Sequence, residues 1–208
     1  MNGFLLVDKP AGIAFSSVIK AVKRKFGLDK VGHGGSLDTM ASGLFIVLLG
    51  DANKFAADVM GADRAFEGSF KLGLNTNTGD IHGEISGPGA ETIDPAKVKG
   101  DIFQREPRYC SIRKEGKADY EVVDTGEHPE FMAHVYRLEL DGNAFRLKCT
   151  ARTIVRALAQ ELGVALASLR RTAIGKFKVE AAVPFARLLE MGAEEFAKCV
   201  MPLAEALR

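Results

Sequence analysis

Residues 32–43 read GHGGSLDTMASG. Gly32, Gly34, Gly35 and Gly43 frame one histidine and one aspartate, His33 and Asp38. Glycine permits positive φ and lets a ligand approach the backbone closely. The run LFIVLL at 44–49 comes next and reads as a buried strand. Asp38 therefore sits on a turn-rich loop mounted on a rigid element, which suits catalysis. The same composition also suits a plain connection in which Asp38 caps a turn. The spacing is not that of a phosphate loop, because no Gly-Lys-Ser/Thr is present and the strand comes after the glycines. It is not a dinucleotide fingerprint either.

Upstream, residues 4–7 form a short apolar run ended by Lys9, Pro10 and Gly12, and read as a strand. Ser16 and Ser17 are candidate caps for a helix in which Val18, Val22 and Phe26 recur every four residues, with Gly27 as its stop. Downstream, 51–60 reads as a short helix and 66–72 as an alternating strand. Residues 75–90 are rich in Asn, Thr, Gly and Asp and read as a long loop. A helix is expected from Asp94 or Pro95 to about Phe103. Residues 135–140 and 145–149 read as a hairpin around Asp141-Gly142-Asn143. Helices are expected at 152–162, stopped by Gly163, at 164–169, and at 185–191, with a strand at 172–179 between the last two. Single strands and helices without regular βαβ alternation favour an α+β fold around a mixed or antiparallel central sheet flanked by helices.

The 208 residues suit one domain. The formal net charge of +1 excludes a globally basic protein, so any nucleic-acid surface must be local. Cys110, Cys149 and Cys199 are far apart and form no C-x-x-C pair, which argues against a zinc or redox centre and for reduced thiols. Asp8 interrupts the first apolar run too early for a signal peptide, and no run reaches membrane-spanning length. A cytoplasmic protein is expected.

Six stretches in order resemble the TruB-type tRNA pseudouridine synthases. GHGGSLDTMASG resembles the family's G-H-x-G-x-L-D-P-x-A-x-G. The opening GFLLVDKPAGIAFSSVIKAVKRKFG is similar to its strand, Lys-Pro turn and helix. FEGSFKLGLNTNTGDIHGE resembles a strand followed by T-D-T-x-D-x-x-G. QREPRYCSIRKEGKADYE resembles Q-x-P-x-x-x-S-A-x-K-x-x-G-x-x-x-Y. ARTIVRALAQELG resembles Y-I-R-T-L-x-x-D-L-G, and LRRTAIGKFKV resembles L-R-R-T-x-x-G-x-F. Together they reach from Gly3 to about Leu189.

The resemblance implies one pseudouridine synthase catalytic domain over 1–208, a monomer, acting on the T arm of tRNA at uridine 55. It implies Asp38 as the nucleophile. The reaction breaks the bond between C1′ and N1 of a uridine and rejoins the base through C5. An aspartate can attack the base or C1′, and either is covalent catalysis. The bond energy is supplied within the substrate, so no metal or cofactor is called for. Arg152 aligns with the active-site arginine, whose guanidinium would aim the carboxylate and favour its ionised form. His33 aligns with a histidine that handles the flipped nucleotide. Lys9 and Pro10 match the Lys-Pro turn, either as support or as a phosphate contact. Leu169 matches the apolar residue under the target base. Asp80 matches the acidic residue of the loop after the second motif, there to orient RNA or to cap the loop.

The chain departs from the pattern in places. Phe66 stands where the family has a tyrosine; it keeps the stacking face and lacks the hydroxyl. Thr39 replaces a proline, Gly34 a threonine and Asn77 an aspartate. Residues 193–208 are fewer than the C-terminal PUA-type extension of many members. Basic residues gather at 20–30, at 105–117 and at Arg170, Arg171, Lys176 and Lys178. Residues 105–120 read as an insertion that contacts RNA. The alternative to an enzyme is an RNA-binding or RNA-folding module of the same fold. A hydrolase built on Asp38 lacks a second carboxylate at a recognisable spacing.

Overall fold

In the computed structural model, residues 1–105 and 130–207 are described, together with the backbone at 113–114 and 117–118. The elements in chain order begin with β1 (Gly3–Lys9), α1 (Phe15–Lys25), β2 (Val31–His33), β3 (Ser42–Leu49) and α2 (Ala56–Gly61). Next are β4 (Arg64–Lys71), β5 (Leu74–Thr76), β6 (Ile85–Pro88), β7 (Gly100–Arg105), β8 (Arg113–Lys114) and β9 (Lys117–Ala118). Then come β10 (Glu130–Asp141), β11 (Ala144–Cys149), α3 (Val155–Glu161), β12 (Ala165–Ile174), β13 (Phe177–Lys178) and β14 (Val183–Pro184). The chain closes with α4 (Phe185–Glu190), α5 (Ala193–Cys199), β15 (Val200–Met201) and α6 (Leu203–Ala206). Strands and helices are interspersed around mixed sheet, as an α+β protein requires. Among the described residues no helix is long and apolar enough to cross a membrane. The chain forms two compact units, Met1–Arg64 with Arg170–Arg208, and Ala65–Leu169.

In the first unit, β1 and β3 pair antiparallel along their whole length, from Gly3 opposite Leu49 to Lys9 opposite Gly43. Both are near-continuous apolar runs because both faces are covered. β14 joins β1 in parallel and β15 joins it antiparallel, while β12 meets β3 in parallel at Arg170–Arg171. The core gathers Phe4, Leu6, Leu44, Ile46, Leu48, Val59 and Ile174. α1 buries Val18 and Val22, as its period requires, and places Lys23, Arg24 and Lys25 in its last turn, beside the negative end of the helix dipole.

In the second unit, β7, β10 and β11 form an antiparallel meander. The β10–β11 turn is the expected hairpin, with Leu140 opposite Phe145 and Gly142 at φ +57°. Phe70 of β4 and Phe145 of β11 stack with their ring centroids 4.4 Å apart.

Several expected elements differ. The helix at 94–103 is a single 3-10 turn, Pro95–Val98, capped by Asp94, and β7 takes the rest. The loop at 75–90 contains the β5–β6 hairpin. The helix expected at 164–169 is the first half of β12; its alanines and leucines fit either state, and burial on a sheet decided for strand. α1 starts at Phe15 with Ala14 as its cap, so Ser16 and Ser17 lie inside its first turn. α3 starts three residues later than expected, which leaves Arg152 ahead of the helix. β2 was hidden in the glycine-rich stretch: Gly32 and His33 pair with Leu48 and Val47.

Candidate active site

Asp38 opens a turn in the first unit: the amide of Ala41 donates to its carbonyl at 3.1 Å. Asp is favoured at the first position of such turns. Leu37 and Ala41 are buried on either side and anchor the turn, while Asp38 itself is half-buried. The loop is tied to the turn after β1, where the amide of Gly12 donates to the carbonyl of Thr39 at 2.7 Å.

Lys9 lies beneath this junction, fully buried. Its ammonium donates to the carbonyls of Pro10 (2.9 Å), Ile13 (2.7 Å) and Thr39 (3.5 Å). Burial pushes its pKa down to about 8, against the pull of Asp38's charge and with a further push from Arg171. Pro10 is exposed beside it.

Arg171 enters from the other side, also buried. Its Nε donates to Leu44 O at 2.8 Å, Nη1 to Ser36 O at 2.7 Å and Nη2 to Gly35 O at 3.4 Å. Burial first and the nearby charge of Arg64 second lower its pKa to about 9, against the opposing pull of Asp38's charge. Arg64, buried too, donates to the carbonyls of Val59 and Met60 and to Gly34 O at 3.3 Å. Three buried cations thus underlie one loop, and backbone carbonyls accept from each, as buried charge requires. Gly43 has φ +101°, and a β-carbon there would stand 2.3 Å from Arg171 O, so the last glycine of the stretch permits the close approach of β12.

Sequence reasoning put Arg170 and Arg171 on a basic surface. That expectation is corrected for Arg171, which is buried; Arg170 stays partly exposed and makes a two-pronged ion pair with Asp8 at 2.9 and 2.7 Å. Lys176 and Lys178 are exposed as expected, as are Lys20, Lys23, Arg24 and Lys25. The insertion at 105–120 lies almost wholly outside the described residues.

His33 is half-buried, with Phe15 5.1 Å and Phe45 6.0 Å away between ring centroids. Its Nδ1 accepts from the amide of Gly35 at 3.2 Å, so the neutral ring carries its proton on Nε2.

The remaining expected residues belong to the second unit. Phe66 on β4 and Leu169 at the end of its share of β12 are both buried. Asp80 is buried, and its Oδ1 accepts from Thr78 Oγ1 (3.0 Å) and the amide of His82 (2.9 Å). Its backbone bridges to Leu166. Arg152 is exposed, its guanidinium 4.9 Å above the ring of Phe131. The buried arginine of this segment is Arg156: Nη1 donates to Thr78 O at 2.8 Å and Nε lies 4.0 Å from Asp80 Oδ2.

Arg156 was missed by sequence reasoning, and its signal was present. Counted back from Leu162-Gly163, the pattern Y-I-R-T-L-x-x-D-L-G puts its tyrosine at Ile154, its arginine at Arg156 and its first leucine at Leu158. Gln104, the first residue of the fourth matched stretch, is a second such residue. It is buried, donates to Ile154 O at 3.1 Å and accepts from Ile154 N at 2.9 Å, and so fixes the start of α3.

Comparison with known proteins gives a family. The pattern described as TruB family pseudouridylate synthase (N terminal domain) matches residues 23–150. The chain is 33% identical to a tRNA pseudouridine synthase B of Burkholderia pseudomallei (strain 668), with 88% of this chain and 68% of the relative covered. It is 35% identical to the tRNA pseudouridine synthase B of Aromatoleum aromaticum, with 98% and 73% covered. Among solved structures, a chain of a Cbf5-Nop10-Gar1 complex superposes with a TM-score of 0.71 at 23% identity, over 98% of this chain and 61% of that one. A chain of an H/ACA RNP bound to a substrate RNA containing 2′-deoxyuridine gives 0.69 at 23% identity, over 98% and 60%. At that identity the likeness establishes the fold. The chain spans about three fifths of the length of those solved chains.

Proposed function

The chain belongs to the TruB family of pseudouridylate synthases, which are isomerases, and from that premise we propose that it converts a uridine of tRNA, uridine 55 of the T loop, to pseudouridine with Asp38 as nucleophile. The mounting of Asp38 supports the reading most: a turn on a buried strand, held by Lys9 on one side and by Arg171 on the other. A nucleophile so held is aimed before the substrate arrives.

In the reaction the C1′–N1 bond breaks, the base turns and C1′–C5 forms. N1 gains a proton and C5 loses one to solvent. Asp38 carries the intermediate through its carboxylate, which divides one difficult step into two. Phe66 and Leu169 are assigned to contact with the extruded base, and His33 to handling the flipped nucleotide. Phe66 has no hydroxyl, so removal of the C5 proton falls to another group or to water.

The active-site arginine of the family is assigned to Arg156 and not to Arg152. Arg156 has the motif's position and a buried, doubly held guanidinium; Arg152 has neither. Asp80 then acts as the carboxylate that orients Arg156, and Lys9 and Pro10 support the loop. Exposed lysines and Arg24 of α1 suit phosphate contacts whose strength falls with salt.

The test is tritium release from tRNA carrying 5-tritiated uridine, with Asp38→Asn as control and with T-loop uridine variants as substrates. Wild-type protein is expected to release tritium, the asparagine variant to release none, and replacement of uridine 55 to abolish release. Wild-type release no greater than the variant's would end the enzymatic reading; tRNA binding in that case would leave an RNA-binding module of the same fold.

A further inference from the structure

We propose that Arg171 is a positioning residue for the reaction at Asp38: one guanidinium grips the loop on both sides of the aspartate and thereby sets the direction of its carboxylate. The proposal rests on the reading of Asp38 as nucleophile.

Ser36 and Gly35 precede Asp38 in the chain, and Leu44 comes after it at the start of the buried part of β3. The carbonyls of Leu44, Ser36 and Gly35 accept from Arg171, at 2.8, 2.7 and 3.4 Å. The loop therefore cannot rock about either end without breaking a charge-assisted hydrogen bond. A planar fork is needed for this. Nε and Nη1 point at carbonyls on opposite sides of the loop, and a single ammonium nitrogen cannot occupy both places.

The clamp is itself anchored. Arg171 lies in register opposite Gly43, and Arg170, its neighbour on β12, is opposite Ser42. Arg170 holds Asp8 of β1 by two bonds, so β12 cannot slide along β3 without breaking that pair. Consecutive arginines thus divide the work: one fixes the height of the strand, and the other fixes the loop.

A core leucine or methionine would fill the same volume without the cost of burying a charge. The guanidinium occupies it where the carbonyls of Gly35, Ser36 and Leu44 converge. The charge of Asp38 opposes the effect of burial on Arg171.

The experiment uses Arg171→Lys in the full chain, with three readouts: the single-turnover rate at saturating enzyme, the Kd for tRNA, and hydrogen exchange of the amides at 35–41. The rate at saturation is that of the folded, bound species, so a merely less stable protein leaves it unchanged. Expected are a rate about 10- to 100-fold lower, as for a small misplacement of a reacting group, with Kd within about threefold. Loop exchange should rise about tenfold while β1 and β3 keep their protection. A rate within about threefold of wild type, or loop exchange at the wild-type level, would overturn the proposal. If Arg171→Lys does not fold, Arg171→Gln takes its place. Failure of both to fold would also overturn it, since the residue would then serve folding alone. Wild-type protein that releases no tritium would sink the proposed function instead, and the exchange measurement would still decide whether the clamp exists.

Discussion

The amide of Gly12 donates to the carbonyl of Thr39 at 2.7 Å, which makes the turn after β1 and the loop carrying Asp38 one hydrogen-bonded piece. Lys9 fills the space under that junction with a charge. Its ammonium reaches three carbonyls and has given up water to do so.

That burial has a pH signature. The pKa of Lys9 is about 8 in the folded protein against 10.5 for an ordinary lysine. Between those values the unfolded chain holds a proton that the folded chain has released, so the Lys9 contribution to stability rises with pH. It is complete above the unfolded pKa and lost as pH falls through about 8. Urea melts of wild type and Lys9→Met between pH 7 and 10.5 isolate it, because the difference cancels Arg171 and the surface groups. The wild-type advantage should grow over this window. A difference independent of pH would show that the burial of Lys9 carries no such cost.

The two arginines of residues 152–156 should separate cleanly. Arg156→Ala leaves Asp80 buried beside an empty place and is expected to cost roughly 3 kcal/mol of stability. Arg156→Lys should fold and lose about 100-fold or more in single-turnover rate, since the fork that holds Thr78 O and faces Asp80 is gone. Arg152→Ala removes an exposed contact with the Phe131 ring and should cost under about 1 kcal/mol, with the rate within about threefold of wild type. The reverse order of effects would restore Arg152 to the site.

Gly34 shows why this chain lacks the threonine expected there. A β-carbon at Gly34 would stand 2.3 Å from Val59 Cγ1 and 3.3 Å from Ile46 Cβ. Gly34→Ala should cost about 1–3 kcal/mol through overpacking, and Val59→Ala about 1–2 kcal/mol through lost packing. In the double variant the methyl group enters the space that Val59 leaves, so the costs should fall short of their sum by about 1 kcal/mol. Chemical denaturation of the four proteins closes the cycle, and strict additivity would mean that Val59 is not the obstacle.

Much of this was legible from the chain. The apolar runs at 4–7 and 44–49, the four-residue period of α1 and the Asp-Gly-Asn hairpin are local signals, and each became the expected element. The 164–169 stretch misled because alanine and leucine are at home in both helix and strand, and a neighbouring strand decided between them. The helix at 94–103 shrank to one turn because residues 100–105 pair with β10 instead, and the chain is already extended at Lys99. Arg156 was legible by counting from Leu162-Gly163; Arg152 stands nearer the start of the segment, where the match to the motif is loosest.

The sequence alone determined the family pattern, the α+β class and the aspartate at its centre, because those depend on residue type and spacing along the chain. Tertiary structure alone decided what the basic residues do. Lys9, Arg64, Arg170 and Arg171 look alike in a sequence, where each is a solvated cation by default. Three of them are buried among carbonyls under the Asp38 loop, and the fourth is paired with Asp8. The charge on a side chain is written in the sequence. The partners that make its burial tolerable come from elsewhere in the chain, thirty residues away for Lys9 and Thr39 and 127 for Arg171 and Leu44, and exist only once the chain has folded.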